Sequence, residues 1–156
     1  MSRHTLLAAL LLCLPAVLSG QSHPLVGTWN VTVPAGVRIE NGEPSIIVAK
    51  GTLAVTAVGD SLIGTLDVEP PEGIPARPAS RLAARRASGP TTFISVTQAT
   101  INVNGAESQH SVTSTYIVES SDGDAFTGTV TRIIEGLESP MSTPQPFTGT
   151  RVGRTG

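Results

Sequence analysis

Four polar side chains are candidates for chemistry because their spacing places them among apolar residues. They are His110, Ser114, Tyr116 and Arg132. An arginine binds a carboxylate through charge-assisted hydrogen bonds, and serine and tyrosine hydroxyls can complete such a site. The four residues therefore predict a ligand-binding site for a small, partly apolar molecule or a carboxylate. The alternative is that they lie near the ends of the fold, where the interior meets water.

Catalytic and metal sites have less support from the residue types. Nucleophilic catalysis needs a base that a third group orients, and the one histidine within a predicted strand is His110. An enzyme acting through His110 and Tyr116 is therefore an alternative, and we expect no enzymatic activity. The histidines show no ligand spacing, so no metal is expected, and nothing in the sequence predicts a cofactor.

The charge pattern limits the partners. A net charge of -2 over 156 residues provides no positive field for nucleic acid. One basic cluster contains Arg77, Arg81, Arg85 and Arg86. Such a cluster is typical of a solvated face, and the alternative is contact with an acidic partner.

The first 20 residues have the three-part pattern of a secretory signal. Arg3 and His4 precede an uncharged apolar run over residues 5–18, and small residues follow it. That run is shorter than the ~20 residues that a membrane-spanning helix needs. We expect residues 1–20 to be a signal peptide and residues 21–156 to be a single secreted or periplasmic domain with no membrane contact. The chain's only cysteine lies within the apolar run, so the exported domain has no disulfide.

Alternating apolar and polar residues in this domain predict half-buried β-strands. The alternation is clearest over residues 29–33, 47–57, 62–68, 112–118 and 126–134. Residues 81–86 fit a short strand or a helical turn, and residues 147–152 fit a final strand. Residues 92–103 form a long strand whose apolar phase changes between Val96 and Ala99, where a bulge would reconcile the two halves.

The predicted turns agree with the phase of the strands. Two-residue loops at Gly59-Asp60 and Asn104-Gly105 keep the apolar residues of the flanking strands on one face. A three-residue loop over residues 121–123 does the same and puts Gly123 in the left-handed conformation. Consecutive hairpins of this kind predict an all-β, antiparallel, up-and-down meander of about eight strands, closed into a barrel.

A short Gly-Thr repeat supports closure of the barrel. It occurs at Gly27-Thr28, Gly51-Thr52, Gly64-Thr65, Gly128-Thr129 and Gly149-Thr150. In the clearly phased strands the glycine lies on the apolar face, where it leaves room for a large neighbour or for tight coiling. By the same phase, His110, Ser114 and Tyr116 share one interior face with Arg132 of the next strand.

Two motifs carry a resemblance to a known family. Gly27-Thr28-Trp29 opens the first predicted strand, and Arg151 lies in the last. In these positions the chain resembles the lipocalin-like barrel proteins, and it looks like small secreted bacterial proteins with a Gly-Thr-Trp start. The resemblance implies that Gly27, Trp29 and Arg151 are structural residues. It also implies that Arg151 packs over Trp29, a cation–π contact worth about 0.5–2 kcal/mol.

The combined expectation is an exported, non-enzymatic barrel that binds a small ligand in its interior. The rival hypothesis is a protein-binding barrel, such as a secreted protease inhibitor, that uses its N-terminus or loops. Avidin-like barrels are similar at the start, but biotin pockets use several tryptophans and this chain has one. The sequence leaves the oligomeric state open.

Overall fold

Eight strands run up and down in sequence order and close into one antiparallel barrel. The structure is a computed structural model that describes residues 23–85, 88–103 and 105–153. The strands are β1 (Gly27–Glu40), β2 (Glu43–Val58), β3 (Ser61–Val68), β4 (Ser80–Arg85), β5 (Thr91–Val103), β6 (Ala106–Ser121), β7 (Ala125–Ile134) and β8 (Gln145–Arg151). One turn of 3₁₀ helix, Pro140–Ser142, precedes β8. The predicted fold class is confirmed.

The predicted signal peptide, residues 1–20, lies outside the described residues. Within the part of the chain that the structure describes, no helix has the length and apolar character needed to cross a membrane.

The two ends of the barrel differ. One end carries the start of β1, the Gly59-Asp60 turn and the turn between β6 and β7, and we call it the closed end. The other carries the Asn41-Gly42 turn and two longer loops, residues 69–79 and residues 135–144, and we call it the open end. At the open end the β1–β2 and β5–β6 hairpins extend past the neighbouring strands.

Side chains fill the interior because the alternation of each strand sends its large apolar residues inward. The bulkiest fully buried residues include Trp29, Leu53, Leu62, Leu82, Phe93 and Phe147. Aromatic rings form a continuous chain through this core. Trp29 lies 5.2 Å from Phe126, Phe126 lies 5.0 Å from Phe147, and Phe147 lies 5.2 Å from Tyr116, measured between ring centroids. Tilted rings at these separations are favourable contacts.

An inward glycine makes room for one of these rings. A Cβ atom added at Gly149 would overlap the Phe126 ring, which lies on the paired position of β7. In β7 and β8 the Gly-Thr repeat therefore places a glycine opposite a phenylalanine, Gly149 with Phe126 and Gly128 with Phe147, an arrangement that allows close packing.

Two of the three predicted turns keep their positions. Gly59-Asp60 separates β2 from β3 as predicted. β5 ends and β6 begins on either side of Asn104-Gly105; Gly105 has a φ of 85°, and Asn104 lies outside the described residues. The third turn is displaced by one residue, since β6 extends to Ser121 and the loop comprises residues 122–124. A register shift at Glu119 restores the phase.

The bulge predicted in β5 is wrong. The register of β5 with β6 is unbroken from Thr91 to Val103. Phe93 and Ser95 face the interior, while Val96 is 63% exposed, so the strand keeps its phase by leaving an apolar residue outside. In β1 a register shift does occur, between Pro34 and Gly36.

Two further segments have a defined secondary structure. Residues 80–85 form a strand rather than a helical turn, and its inward residues Leu82 and Ala84 are buried. The β1–β2 connection is an Asn41-Gly42 turn in which both residues have positive φ, 53° and 84°. That Asn-Gly pair is a strong hairpin signal.

Arg151 and Trp29 meet where the first and last strands pair. The two residues are opposite each other in the β1–β8 register, and the guanidinium carbon lies 4.2 Å from the ring centroid. The indole nitrogen donates a hydrogen bond to the carbonyl oxygen of Leu25 at 2.9 Å. This is the contact that the lipocalin-like resemblance implies.

Backbone carbonyls surround the same guanidinium. Arg151 donates hydrogen bonds to the carbonyl oxygens of Pro24, Val26 and Gly123. Gly27 has a φ of 138°, and a Cβ atom there would overlap the guanidinium, so a glycine is needed at that position. Arg151 therefore ties the N-terminal segment, the β6–β7 turn and β8 into one cap over the closed end.

We expect Arg151→Met to destabilise the fold by about 2–4 kcal/mol, because it removes a cation–π contact and charge-assisted hydrogen bonds. Urea unfolding followed by Trp29 fluorescence measures this. The control is Arg81→Met, which removes the same group from an exposed position on β4. Equal stability of the two variants would contradict the role assigned to Arg151.

The β6–β7 turn makes a pH-dependent contribution to stability. The backbone N–H groups of Ala125 and Asp124 donate to the Asp122 carboxylate, and they lower the pKa of Asp122 below its ordinary value. The charged form therefore stabilises the fold above the unfolded-state pKa, and this contribution is lost as the pH falls through the folded-state pKa.

Carbon-detected NMR titration should show a pKa for Asp122 below its ordinary value. Asp122→Asn should also reduce the loss of stability on acidification, whereas Asp124→Asn, in the same turn, should leave it closer to that of the parent protein. An unshifted titration of Asp122 would refute this assignment.

Candidate functional site

Three of the four candidate residues come together at the open end. Ser114 and Arg132 are opposite each other in the β6–β7 register, and the Arg132 Nε–H donates to the Ser114 hydroxyl at 3.2 Å. Tyr116 lies two residues further along the inward face of β6. Ser114 and Tyr116 are both buried, with 7% and 3% of their surface exposed.

The guanidinium of Arg132 is incompletely satisfied. Its Nη1 lies 3.7 Å from the Met141 sulfur, and its Nη2 lies 3.5 Å from the Pro34 carbonyl oxygen. Both are long contacts, and the first is to a weak acceptor. Within the described residues the one ion pair is between Arg38 and Glu40, so no described carboxylate neutralises Arg132. A half-buried cation without a counterion favours binding of an anion.

The Tyr116 hydroxyl is also available. No described residue forms a hydrogen bond with it. Every buried polar side-chain atom in the described part of the chain has a partner, so a hydroxyl without one must be exposed to solvent. The Tyr116 ring packs against Phe147. This packing fixes the position of the hydroxyl, a hydrogen-bond donor with no described acceptor.

Arg132 and Tyr116 line one pocket at the open end. Its volume is about 90 Å³, and its apolar walls include Val33, Leu66 and Val68. The loop of residues 69–79 forms the outer wall and contributes most of its prolines. Sites that enclose a whole drug-sized ligand are larger, about 300–1,000 Å³. This pocket therefore has room for a small polar group with a few attached carbons, and the aromatic core fills the barrel beneath it.

The loop adds charges of both signs to the pocket. Glu69 and Arg77 both line it, and both are exposed. Their fields oppose one another and are screened by water. The buried part of the pocket therefore takes its sign from Arg132.

His110 lies apart from the other three candidates. It is six residues from Tyr116 on the same strand, about 20 Å along the chain, and it lines neither of the two pockets described here. Its Nδ1 is 2.8 Å from the Glu135 carbonyl oxygen, and its Nε2 is 2.6 Å from the Ser108 hydroxyl. His110 and Tyr116, which the enzyme alternative uses together, are therefore not brought together.

Ser108 is the contact residue that the sequence analysis missed. Ser108 and His110 are two residues apart, so in a strand they point to the same side. That spacing alone could have predicted the contact between Ser108 and His110. The contact between His110 and Glu135 could not be predicted in this way, because it depends on the register between β6 and β7. The pair resembles a nucleophile and base in one respect, the short hydrogen bond.

A second, more open pocket of about 410 Å³ lies at the closed end, around Arg151 and Asp124. Its arginine already donates to three backbone carbonyls, so it has less need of an added anion than Arg132. Elsewhere in the described ranges, no group of three or more His, Cys, Asp or Glu side chains could hold a metal ion.

Comparisons of the chain with protein-family models, with curated proteins and with solved structures give no match.

The tautomer of His110 follows from its two partners. A carbonyl oxygen only accepts hydrogen bonds, so Nδ1 carries the proton, and the neutral ring accepts from Ser108 at Nε2. Nitrogen-15 NMR of the neutral ring should show the Nδ1–H tautomer, and Ser108→Ala should preserve it because the Glu135 contact remains. A ring protonated at Nε2 alone would contradict this geometry.

Proposed function

We propose that this protein is an exported, non-enzymatic binding module that holds the carboxylate of a small, partly apolar molecule at the open end of its barrel. The observation that carries the proposal is the state of Arg132. It is half-buried, it lines a pocket, and no described carboxylate pairs with it.

A carboxylate in the pocket would accept hydrogen bonds from the Nη groups of Arg132. These bonds would replace the long contacts to Met141 and Pro34 and would be shorter and stronger, since both partners are charged. The Tyr116 hydroxyl would donate to the second carboxylate oxygen or to a neighbouring polar group. Ser114 would keep the guanidinium oriented through its bond to Nε.

The apolar part of the ligand would point out of the barrel rather than into it. The floor of the pocket is closed by the aromatic core, and Leu66 and Val68 line its wall. Ile74 of the loop also faces the pocket. A short alkyl or alicyclic chain would therefore lie between the wall and the loop. The expected ligand is then one held at the rim of the barrel rather than one enclosed within it.

Export is supported by the N-terminal pattern. Residues 1–20 have the charged start, apolar run and small residues of a secretory signal, and the remaining chain has no cysteine to require oxidation for folding.

The enzyme alternative has one supporting observation, the contact between Ser108 and His110. Acyl transfer also needs donors for the oxyanion and a place for the substrate. The pocket that could hold a substrate contains Tyr116 rather than Ser108 or His110. The geometry therefore favours binding over catalysis.

We expect hexanoate to bind in this pocket, and 1-hexanol to bind more weakly because it carries no charge. Amide NMR titration should show shifts at Tyr116, Arg132 and the 69–79 loop. Arg132→Gln should weaken hexanoate binding about 10-fold or more, since hydrogen bonds between charged groups contribute about 1.5–3 kcal/mol. Tyr116→Phe should weaken it less.

The matched control is Arg81→Gln, which removes the same charge from an exposed position on β4. It should leave hexanoate binding unchanged. Equal binding of hexanoate and 1-hexanol, or equal losses in Arg132→Gln and Arg81→Gln, would refute the proposal. If Arg132→Gln unfolds, Arg132→Lys retains the charge and tests the paired geometry.

A further inference from the structure

The barrel has one weak seam, between β4 and β5. Each of the six residues of β4 pairs with β3, from Ser80 with Leu66 to Arg85 with Ser61. On its other side, the described residues of β4 share a single bridge pair with β5, Ala83 with Ile94. A barrel strand normally uses both edges. Here β5 lies beside β4 in the closed barrel, but most of that edge forms no bridge pair.

β5 also continues well past β4. The register of Ala83 with Ile94 would put Ser80 opposite Thr97, so residues 98–103 extend beyond the start of β4. On the other edge these residues pair without interruption with β6. Their second edge has no described strand beside it, and we call residues 98–103 the open edge.

The sequence before β4 explains why the chain itself does not cover the open edge. Pro75 and Pro78 interrupt the approach to β4, and proline has no N–H to add to a ladder. Among described residues, the backbone hydrogen bonds of the 69–79 loop go to Lys50 and within the loop itself. The loop instead turns over the barrel mouth, where it lines the pocket.

The open edge lacks the features that protect free strands. Natural edges carry charges, prolines or bulges that discourage pairing with another chain. β5 has none of these in its 13 residues. Two apolar side chains on its outer face are exposed next to the seam, Ile94 at 49% and Val96 at 63%. The strand is therefore suited to pair with an added strand.

Positive charge lies at one end of the open edge. Leu82 and Ala84 of β4 are buried, so Arg81 and Arg85 point outward, and Arg77 is exposed just before the strand. None of these arginines forms an ion pair with a described residue. The outward residues of β5 include no acid, and no described carboxylate forms an ion pair with these arginines, so they are available to pair with an acidic segment lying here.

We propose that the open edge of β5 accepts an extended, acidic segment of a partner protein by antiparallel strand addition. Such a segment would run in the same direction as β4, so its C-terminal end would reach Arg77 and Arg81. Main-chain hydrogen bonds would supply the pairing, and acidic residues at that end would supply the selectivity. Arg77 also lines the pocket, so the two sites adjoin, but none of residues 98–103 lines it, and strand addition does not require the carboxylate ligand.

A second copy of the chain fits the open edge less well. Pairing two β5 edges about a two-fold axis is sterically simple, but the outward residues of β5 offer no acid to either set of arginines. An acidic partner satisfies both the free backbone groups and the free charges.

The test uses a synthetic peptide of six alternating Thr and Val residues followed by three Glu residues. One control peptide replaces the Glu residues by Lys. A second control keeps the Glu residues but carries an N-methyl group on each of the six Thr and Val backbone nitrogens, which removes every main-chain donor of that segment. Binding is measured by fluorescence anisotropy, and the site is located by amide hydrogen exchange on the full protein.

We expect the acidic peptide to bind, to slow exchange at residues 98–103, and to bind more weakly as salt is raised. Both control peptides should bind at least about fivefold more weakly. The double variant Arg77→Glu, Arg81→Glu should show a similar loss. Arg85→Glu, on the same face but about 13 Å further along β4, should stay within about twofold of the parent protein.

Equal binding of the N-methylated peptide would overturn the proposal, because charge alone would then explain binding. Protection elsewhere in the chain, or equal losses in Arg85→Glu and the double variant, would also overturn it. Sedimentation that shows a dimer with residues 98–103 protected in the absence of peptide would assign the edge to a second copy instead.

Discussion

Closure of the barrel depends on the contact between its first and last strands, and Arg151 is at the centre of that contact. β1 and β8 share four residue pairs, fewer than most neighbouring strands of this barrel. Arg151 adds a cation–π contact with Trp29 and hydrogen bonds to three carbonyls from distant parts of the chain. One side chain therefore joins segments that are more than a hundred residues apart in sequence.

The aromatic core beneath the cap limits where a ligand can bind inside the barrel. The chain of rings from Trp29 to Tyr116 starts beneath the cap and occupies the interior. A filled interior stabilises a domain that has no disulfide. Among the described residues, the two pockets lie at the ends of the barrel rather than at its centre. Tyr116 is the ring at the open-end side of this chain, and it also lines the pocket. The packed core therefore forms the floor of the pocket. The polar residues of the pocket lie where packing stops and water begins.

Much of this fold could be predicted from sequence, because strand phase and turn positions are determined by residues close together in the chain. Alternation gave the phase of most strands, and Gly59-Asp60 and Gly123 marked turns through conformations that glycine or short polar residues adopt readily. The predicted bulge in β5 failed for a physical reason. Burial of apolar residues is not obligatory, and the strand keeps its register while Val96 stays exposed.

The candidate site was predicted only in part. Interior phase placed Ser114, Tyr116 and Arg132 on facing positions, and the register brings them together. His110 has the same phase, but it lies on the part of β6 that extends past the barrel. Phase along a strand does not reveal where neighbouring strands stop. The lack of an ion pair at Arg132 and the open edge of β5 depend on contacts between strands that are distant in sequence, so no local pattern could show them.

We propose that Arg132 is an anion site at the barrel's open end, and a high-resolution crystal structure of the protein grown with hexanoate would test this. We expect carboxylate density within hydrogen-bond distance of both Arg132 and the Tyr116 hydroxyl, with the alkyl chain lying against the 69–79 loop. An unoccupied pocket at saturating hexanoate, or a carboxylate bound only at Arg151, would contradict it.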